Sequence, residues 1–328
     1  MSEILHRKRA RTLRRLAAGC AALASLLVLL SVCSGDTGPS ARQGEPVFPR
    51  LKDRFADMVR VEVTLPDGGY TLVKTGAGWG LSDFDNYPVT TEALSALFDG
   101  LSELSYAAPR TADPEKYSRI GVGDPEAGGL GARVRLYGPD ETLILDAIIG
   151  RRGTRNYIRA ADEARAWLVD GDLPPFYARA EWVDLDALRV EAGEIVEVRI
   201  NGGPGTYGLR RDGENFVPTG PDERLVSRFA AIGPALALSR WAPVAVKRLE
   251  DPGAFEPFAD HTTRLRDGRI IRLELWHDPG GAIWVAIADP GTSADGNAAI
   301  AKGWLFQLPP QDIADLTMPR DAVIRTVE

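Results

Sequence analysis

The side chains of this sequence that could do chemistry are three histidines, two cysteines, a few acid clusters and one arginine-rich stretch. His6 precedes an apolar segment, which leaves His261 and His277 for the rest of the chain. Each has an aspartate beside it, in Asp260-His261 and His277-Asp278, a pairing a general base could use. Neither has a second histidine three or four residues on, as a metal-binding helix face needs, and no Gly-x-Ser-x-Gly elbow is present. Both are expected at surface turns or strand ends. Cys20 and Cys33 lie in the N-terminal segment, so the remainder has no thiolate nucleophile, disulfide or cysteine-based zinc site.

The acids are Glu181, Asp184 and Asp186 around Trp182, and Asp-Pro-Glu at 113–115 and again at 124–126. They could bind calcium or form an acid–base pair, but the spacing of an EF-hand loop is missing. Helix capping and solvated turns account for them more simply. Gly203-Pro204-Gly205-Thr206-Tyr207-Gly208 fits the dinucleotide pattern G-x-G-x-x-G. That pattern works where a strand passes into a helix whose N-terminus receives a pyrophosphate. Here the residues after it alternate as a strand, so a hairpin turn is expected. Arg151-Arg152-Gly153-Thr154-Arg155 is the one basic cluster in the acidic part of the chain. It is expected in a strand–strand loop, where Arg151, Arg152 and Arg155 are candidates to contact an anionic ligand or partner. No catalytic residue, metal or cofactor is expected.

Charge separates the leader from the body. Residues 1–35 hold six basic side chains (Arg7, Lys8, Arg9, Arg11, Arg14, Arg15) against Glu3, so of the net −7 the leader carries +5 and the remainder −12. A body that acidic makes a poor nucleic-acid binder, because phosphate contacts need a cationic face. After the basic residues comes an uncharged apolar run, residues 16–32, about 26 Å long as a helix. It reaches the short end of the membrane-spanning range. The basic flank places the N-terminus inside and the rest outside. The favoured reading is an uncleaved signal anchor in a bacterial inner membrane with the body in the periplasm. Cleavage near Val32 and Ser34, or lipidation at Cys33 after Leu30-Ser31-Val32, are the alternatives.

The body reads as one unit written twice. In the first copy, alternating strands at 59–63 and 70–74 lead through a glycine turn to Trp79-Gly80-Leu81. A helix follows, capped by Thr90 or Thr91 and carrying Ala93, Leu94, Leu97, Phe98, Leu101 and Leu104. Strands at 132–137, 142–149 and 156–159, the last continuing to 166–169, and a short helix from 173 complete it. In the second copy, strands at 194–200, 207–211 and 215–217 precede a helix over 223–238 with Leu225, Phe229, Ile232 and Leu236 on one face. Strands at 262–266, 269–276 and 282–288 follow. Val59 to Ile195 is 136 residues; Tyr70 to Tyr207, Trp79 to Phe216 and Trp167 to Trp304 are each 137. Chance resemblance would not hold that offset along the whole unit. The expected fold class is α+β: two tandem repeats of a β-β-α-β-β-β-α unit with antiparallel sheets, after one N-terminal transmembrane or signal helix. The expected organisation is a leader at 1–33, a linker at 34–49, and repeats at 50–187 and 190–320.

Several motifs resemble one family. They are Gly78-Trp79 closing the strand pair, Tyr87-Pro88 before the helix, the run from Tyr117 through Ile120-Gly121-Val122-Gly123-Asp124-Pro125, Ile149-Gly150, and Tyr157-Ile158-Arg159. Together with the apolar anchor they are similar to the bacterial domain-of-unknown-function 4340 (DUF4340) family, over most of residues 50–310. The resemblance implies an exported protein encoded beside a gliding-motility-type ABC transporter system. It transfers no catalytic residue. The expected function is therefore a non-catalytic, membrane-tethered envelope module that binds protein partners and assists a transport system. The alternatives are a carboxylate-dependent hydrolase and a periplasmic small-ligand binder, each using a cleft between the repeats.

Overall fold

The structure is a computed structural model and describes residues 42–174, 176–202, 205–249, 257–291 and 302–326. The anchor reading of residues 16–32, and Gly203-Pro204, lie outside them.

Alternation makes the strands. Val61 and Val63 are buried, whereas Arg60, Glu62 and Thr64 between them are only partly so. That is the period-two signature of a sheet with one face on a core. The first half forms β1 (Arg60–Leu65), β2 (Gly68–Thr75), β3 (Gly78–Leu81), β4 (Tyr87–Pro88), β5 (Ser105–Pro109), β6 (Ala132–Tyr137), β7 (Leu143–Arg152), β8 (Arg155–Ala160) and β9 (Trp167–Asp170). They make one antiparallel sheet in the order β4-β3-β2-β1-β6-β7-β8-β9-β5. The second half forms β10 (Ile195–Gly202), β11 (Thr206–Asp212), β12 (Asn215–Pro218), β13 (Glu223–Leu225), β14 (Ala245–Arg248), β15 (Ala259–Leu265), β16 (Ile270–His277), β17 (Ile283–Asp289) and β18 (Trp304–Gln307). Its sheet runs β12-β11-β10-β15-β16-β17-β18-β14. With β4 set aside, this is the order of the first sheet. A last strand, β19 (Ile324–Thr326), pairs with β13.

Helices are few. The longest of these, α1 (Thr91–Glu103), starts where the sequence places it: the Thr90 hydroxyl accepts from the Ala93 amide at 3.2 Å, and Leu97 and Leu101 are buried. A single turn, α2 (Tyr117–Ile120), lies in the connection between β5 and β6. The helix expected over 223–238 does not form. Residues 223–225 are β13, drawn into pairing with β19, and helix is confined to α3 (Ile232–Leu236) and a 3-10 turn, Ala237–Arg240. Pro234 supplies no amide donor and disfavours a helical residue before it, and Phe229 and Ile232 of the supposed apolar face are exposed. The helix expected from 173 is also absent; Leu173-Pro174 blocks it, and a 3-10 turn forms later, at Arg179–Trp182. Near the C-terminus, α4 (Pro310–Leu316) and α5 (Arg320–Val323) precede β19.

One continuous apolar core runs through both halves. At their junction the Tyr87 ring meets the Trp304 ring edge-on at 4.8 Å, and the Trp241 indole donates to the Leu185 carbonyl at 3.2 Å. The Arg248 amide donates to the Asp85 carboxylate at 2.9 Å. Residues 185, 187, 188 and 190, which join the halves, are buried. The segment before β1 also belongs to the fold: Gly44 and Val47 amides donate to the Tyr106 and Leu104 carbonyls along the edge of β5.

Candidate functional site

The arginine cluster forms the tip of the β7–β8 hairpin, with Arg152 opposite Arg155 and Gly153-Thr154 as the two-residue turn. Gly153 has φ +59°, the left-handed conformation that such tight hairpin turns require at their first central residue. All three arginines are exposed, but they are not equivalent. The Arg152 guanidinium donates to the carbonyls of Ser118 at 2.8 Å and Arg119 at 3.4 Å, so it fastens α2 to the hairpin. Among the described residues, the Arg151 and Arg155 guanidiniums have no partner. Two exposed groups from remote parts of the sequence meet β7 below this tip, near Ile149 and Arg152. The Tyr177 hydroxyl donates to the Leu130 carbonyl at 3.1 Å, and the Tyr177 and Leu130 side chains both face solvent. Partial burial raises the Tyr177 phenol pKa, and the nearby Arg152 charge opposes the shift. Nothing in the local sequence links Tyr177 or Leu130 to the arginines; only the fold gathers them.

Most of these acids are occupied. Asp113 and Asp124 cap short 3-10 turns by accepting from the amides of Glu115 and Glu126. Asp124 and Glu126 then join a lattice on the outer face of β1, β6 and β7. Arg133 bridges Asp124, Glu126 and Asp146 at 3.0, 2.6 and 2.7 Å, and Arg135 reaches Glu62 and Glu126 at 3.2 and 2.5 Å. Burial pushes the Asp146 carboxyl up, but the hydrogen bond and charge of Arg133, with Arg135, outweigh it and hold the group below its ordinary range. Asp184 and Asp186 both pair with Arg189. Asp146, held below its ordinary range, lacks the raised pKa of a general acid.

The histidines differ from each other. His277 ends β16, exposed, its ring stacked on Phe258 at 4.2 Å. His261, expected at a turn or strand end, is instead fully buried within β15. Its Nε2 lies 3.1 Å from the Pro234 carbonyl and its Nδ1 3.3 Å from the Thr263 hydroxyl. A carbonyl only accepts, so Nε2 carries the proton and the hydroxyl donates to Nδ1. Burial lowers the His261 pKa to about 4, against the opposing pull of the Pro234 carbonyl and Asp260. The mid-strand place was hidden because His261 sits in alternating register with Ala259, Thr263 and Leu265, a pattern in which it reads as polar.

The glycines of the 203–208 pattern do not lead into a helix. β10 and β11 pair antiparallel on either side, and a Cβ on Gly208 would come 2.6 Å from the Thr219 hydroxyl oxygen. Among the described residues no three His, Cys, Asp or Glu side chains gather as a metal site, and no helix is long and apolar enough to cross a membrane.

Of the motifs that resemble a family, those at 117–125, 149–150 and 157–159 serve the packing of the 110–131 connection onto the first sheet. Gly121 ends α2 at φ +73°, and Tyr117 packs with Ile148 and Tyr157. The Arg159 guanidinium, buried, lies 4.7 Å from the Tyr117 ring and donates to the carbonyls of Ala161 and Glu163. No curated protein and no solved structure matches the chain. A family model described as a domain of unknown function, DUF4340, matches residues 79–227, from the Gly-Trp step of the first sheet into the second half. The DUF4340 family is thus supported over residues 79–227.

Proposed function

We propose that this chain is a tethered protein of the bacterial envelope that acts by binding a protein partner and not by catalysis. Residues 16–32 hold it in the inner membrane, and the body stands in the periplasm as an accessory to an ABC-type transport system. The body is a tandem duplication of one α+β unit; the shared strand order of the two large sheets and the 136–137-residue offset support this. A tether of this kind raises the local concentration of the body for a membrane-bound partner.

One observation carries the binding reading. The β7–β8 tip offers Arg151 and Arg155 without counter-charges, with exposed Tyr177 and Leu130 lower on the same hairpin near Ile149 and Arg152, on a body whose net charge is otherwise strongly negative. Arginine and tyrosine around an apolar group is the composition of protein-interface hot spots. An acidic patch on the partner fits this tip, and the acidic remainder of the body repels the same patch elsewhere.

The test is a crosslinked pull-down from native membranes with the full chain, a chain lacking residues 1–33, and Arg151→Glu/Arg155→Glu. Transporter subunits are expected with the full chain and at least tenfold less with the double variant. Arg210→Glu, an exposed site on β11, serves as the charge control and is expected to capture normally. Capture of the same proteins by all four chains would sink the reading.

A further inference from the structure

The two halves meet end to end. Tyr87 of β4, at one end of the first sheet, packs on Trp304 of β18, and Asp85 beside it accepts from the amide of Arg248 in β14, at one end of the second sheet. The duplication leaves a counterpart of each of these ends without a neighbouring half. The 137-residue offset carries Tyr87 and Val89 to Arg224 and Val226, in and beside β13. That strand lies next to β12, at the end of the second sheet order remote from β14. The same offset carries Gln307, the last residue of β18, back to Asp170, the last residue of β9, near the end of the first sheet order remote from β4.

The β13 end is uncovered. Val89 is 9% exposed, whereas Val226 is 49% exposed and Phe229, close by, 60%. Residues 224–232 contain no acid. Arg224 donates to the carbonyls of Pro221 and Glu223, and the Arg228 guanidinium lies over the Phe229 ring at 4.4 Å. Arg325 of β19 stands directly opposite Arg224 in the strand pair, and like charges so placed are destabilising. Among the described residues no carboxylate pairs with Arg224, Arg228 or Arg325; Glu223 is held by Arg320 at 2.7 Å. An apolar patch set among unmatched arginines calls for an occupant that brings both carboxylates and apolar surface.

The remote end of the first sheet has that composition. Asp170 ends β9 and Asp172 follows it, while Asp99 and Glu103 lie in the last turns of α1, whose C-terminal carbonyls add negative charge. All four acids are exposed, and among the described residues no arginine or lysine pairs with them. With Leu173 and Pro174 they border an open depression of about 650 Å³. The 42–47 segment runs along β5 away from it, with Val47 at Leu104 and Gly44 at Tyr106.

We propose that copies of this chain join head to tail, the β13 end of one copy seated on the acidic end of the first sheet of the next. Phe229 packs on Leu173 there, and Arg224, Arg228 and Arg325 meet the four acids. The contact repeats between copies the end-to-end relation that joins the halves within one copy. It is heterologous, so each assembly keeps one free end of each kind and can continue. Elsewhere the strongly negative bodies repel, which restricts association to this register. The site is separate from the arginine tip, and either can fail without the other.

The full chain in mild detergent is followed by sedimentation velocity over rising concentration. Its mass is expected to climb past the dimer, and to fall back at high salt, which screens the charge pairs. Arg224→Glu/Arg228→Glu and Asp170→Lys/Asp172→Lys are each expected to associate at least tenfold more weakly. Mixed in equal amounts the two variants are expected to associate again, because one supplies an intact acidic end and the other an intact β13 end; that recovery also shows that both fold. Phe229→Ala keeps every charge, and a threefold or greater loss is expected. Association through the apolar segment 16–32 would survive both double variants, and that outcome overturns the proposal. So would a monomer at every concentration, an equal loss in the Arg210→Glu control, or two variants with wild-type circular dichroism that stay apart when mixed.

Discussion

The Trp182 indole donates to the Tyr70 phenol oxygen at 2.7 Å, and that phenol donates onward to the Phe176 carbonyl at 2.9 Å. Tyr70 sits in β2, and the other two groups lie more than a hundred residues later, so this relay ties the end of the first half back onto its opening hairpin. Tyr207, in the matching strand of the second half, makes a single bond, from its hydroxyl to the Met318 carbonyl at 3.0 Å. Burial raises both phenol pKa values, so both stay protonated donors at neutral pH.

Tyr70→Phe leaves a buried indole N–H and a buried carbonyl unpaired, whereas Tyr207→Phe strands one carbonyl. The expected losses are about 3 kcal/mol for the first and about 1 kcal/mol for the second, read by urea unfolding followed by circular dichroism. Equal losses would show that the relay adds nothing beyond a single bond.

His261 sets an acid limit. Its folded pKa of about 4 is depressed from the ordinary 6.5. Above 6.5 the ring is neutral in both folded and unfolded chains and adds no pH dependence. Between 6.5 and about 4 the unfolded chain takes up a proton that the folded chain refuses, so stability falls as pH falls. The accumulated loss is on the order of 3 kcal/mol. Chemical unfolding at pH 7 and pH 5 measures most of the interval before the carboxylates titrate. His261→Leu is expected to be less stable at pH 7 but to show a flatter slope from 7 to 5; an unchanged slope would clear His261 of the effect.

The continuous core implies joint unfolding of the two halves. Tyr87 packs on Trp304 and Phe306, and Trp241 bonds to Leu185, so separating the halves would bare aromatic surface on both. Burial pushes the Tyr87 phenol up to about 12, with Asp184 adding to the shift. Tryptophan fluorescence and far-ultraviolet circular dichroism are expected to trace one coincident transition. Two resolved transitions would mean that the junction contributes little.

Much of this architecture is legible from alternation alone. The strand at 132–137 is read to the residue, and Thr90, the cap, is one of the two threonines read for that role. The sheet orders are not legible, because the pairing of β1 with β6, and of β5 with β9, joins segments far apart in the chain. Strands β5 and β14 are missed for the same reason: each is an edge strand held by one late partner and lacks a strong alternating pattern of its own. The 223–238 helix is a false reading of spaced apolar residues, overridden by Pro234 and by the competing β13–β19 pairing. Arg151 and Arg155 stand out as the one basic cluster of an acidic body. Tyr177 and Leu130 could not be attached to them without the fold.

Gly150 and Gly153 lie three residues apart on one hairpin, yet they answer to different constraints. A Cβ on Gly150 would come 2.4 Å from the Ile120 carbonyl oxygen and 2.6 Å from the Gly121 carbonyl group, backbone that no side-chain rotation can move. A Cβ on Gly153 meets open space, and only its φ of +59° resists. Gly150→Ala is therefore expected to cost about 3 kcal/mol as an overpacked contact, and to lift the turn that carries Tyr117. The amide of Val122, which donates to the Tyr117 carbonyl at 3.2 Å, should then exchange with solvent much faster. Gly153→Ala is expected to cost about 1 kcal/mol, as for a side chain forced to positive φ, and to leave that amide protected. Urea unfolding with hydrogen exchange on both variants separates the two effects. Faster Val122 exchange in Gly153→Ala than in Gly150→Ala would refute the claim that Gly150 exists to let the 110–131 connection close on the sheet.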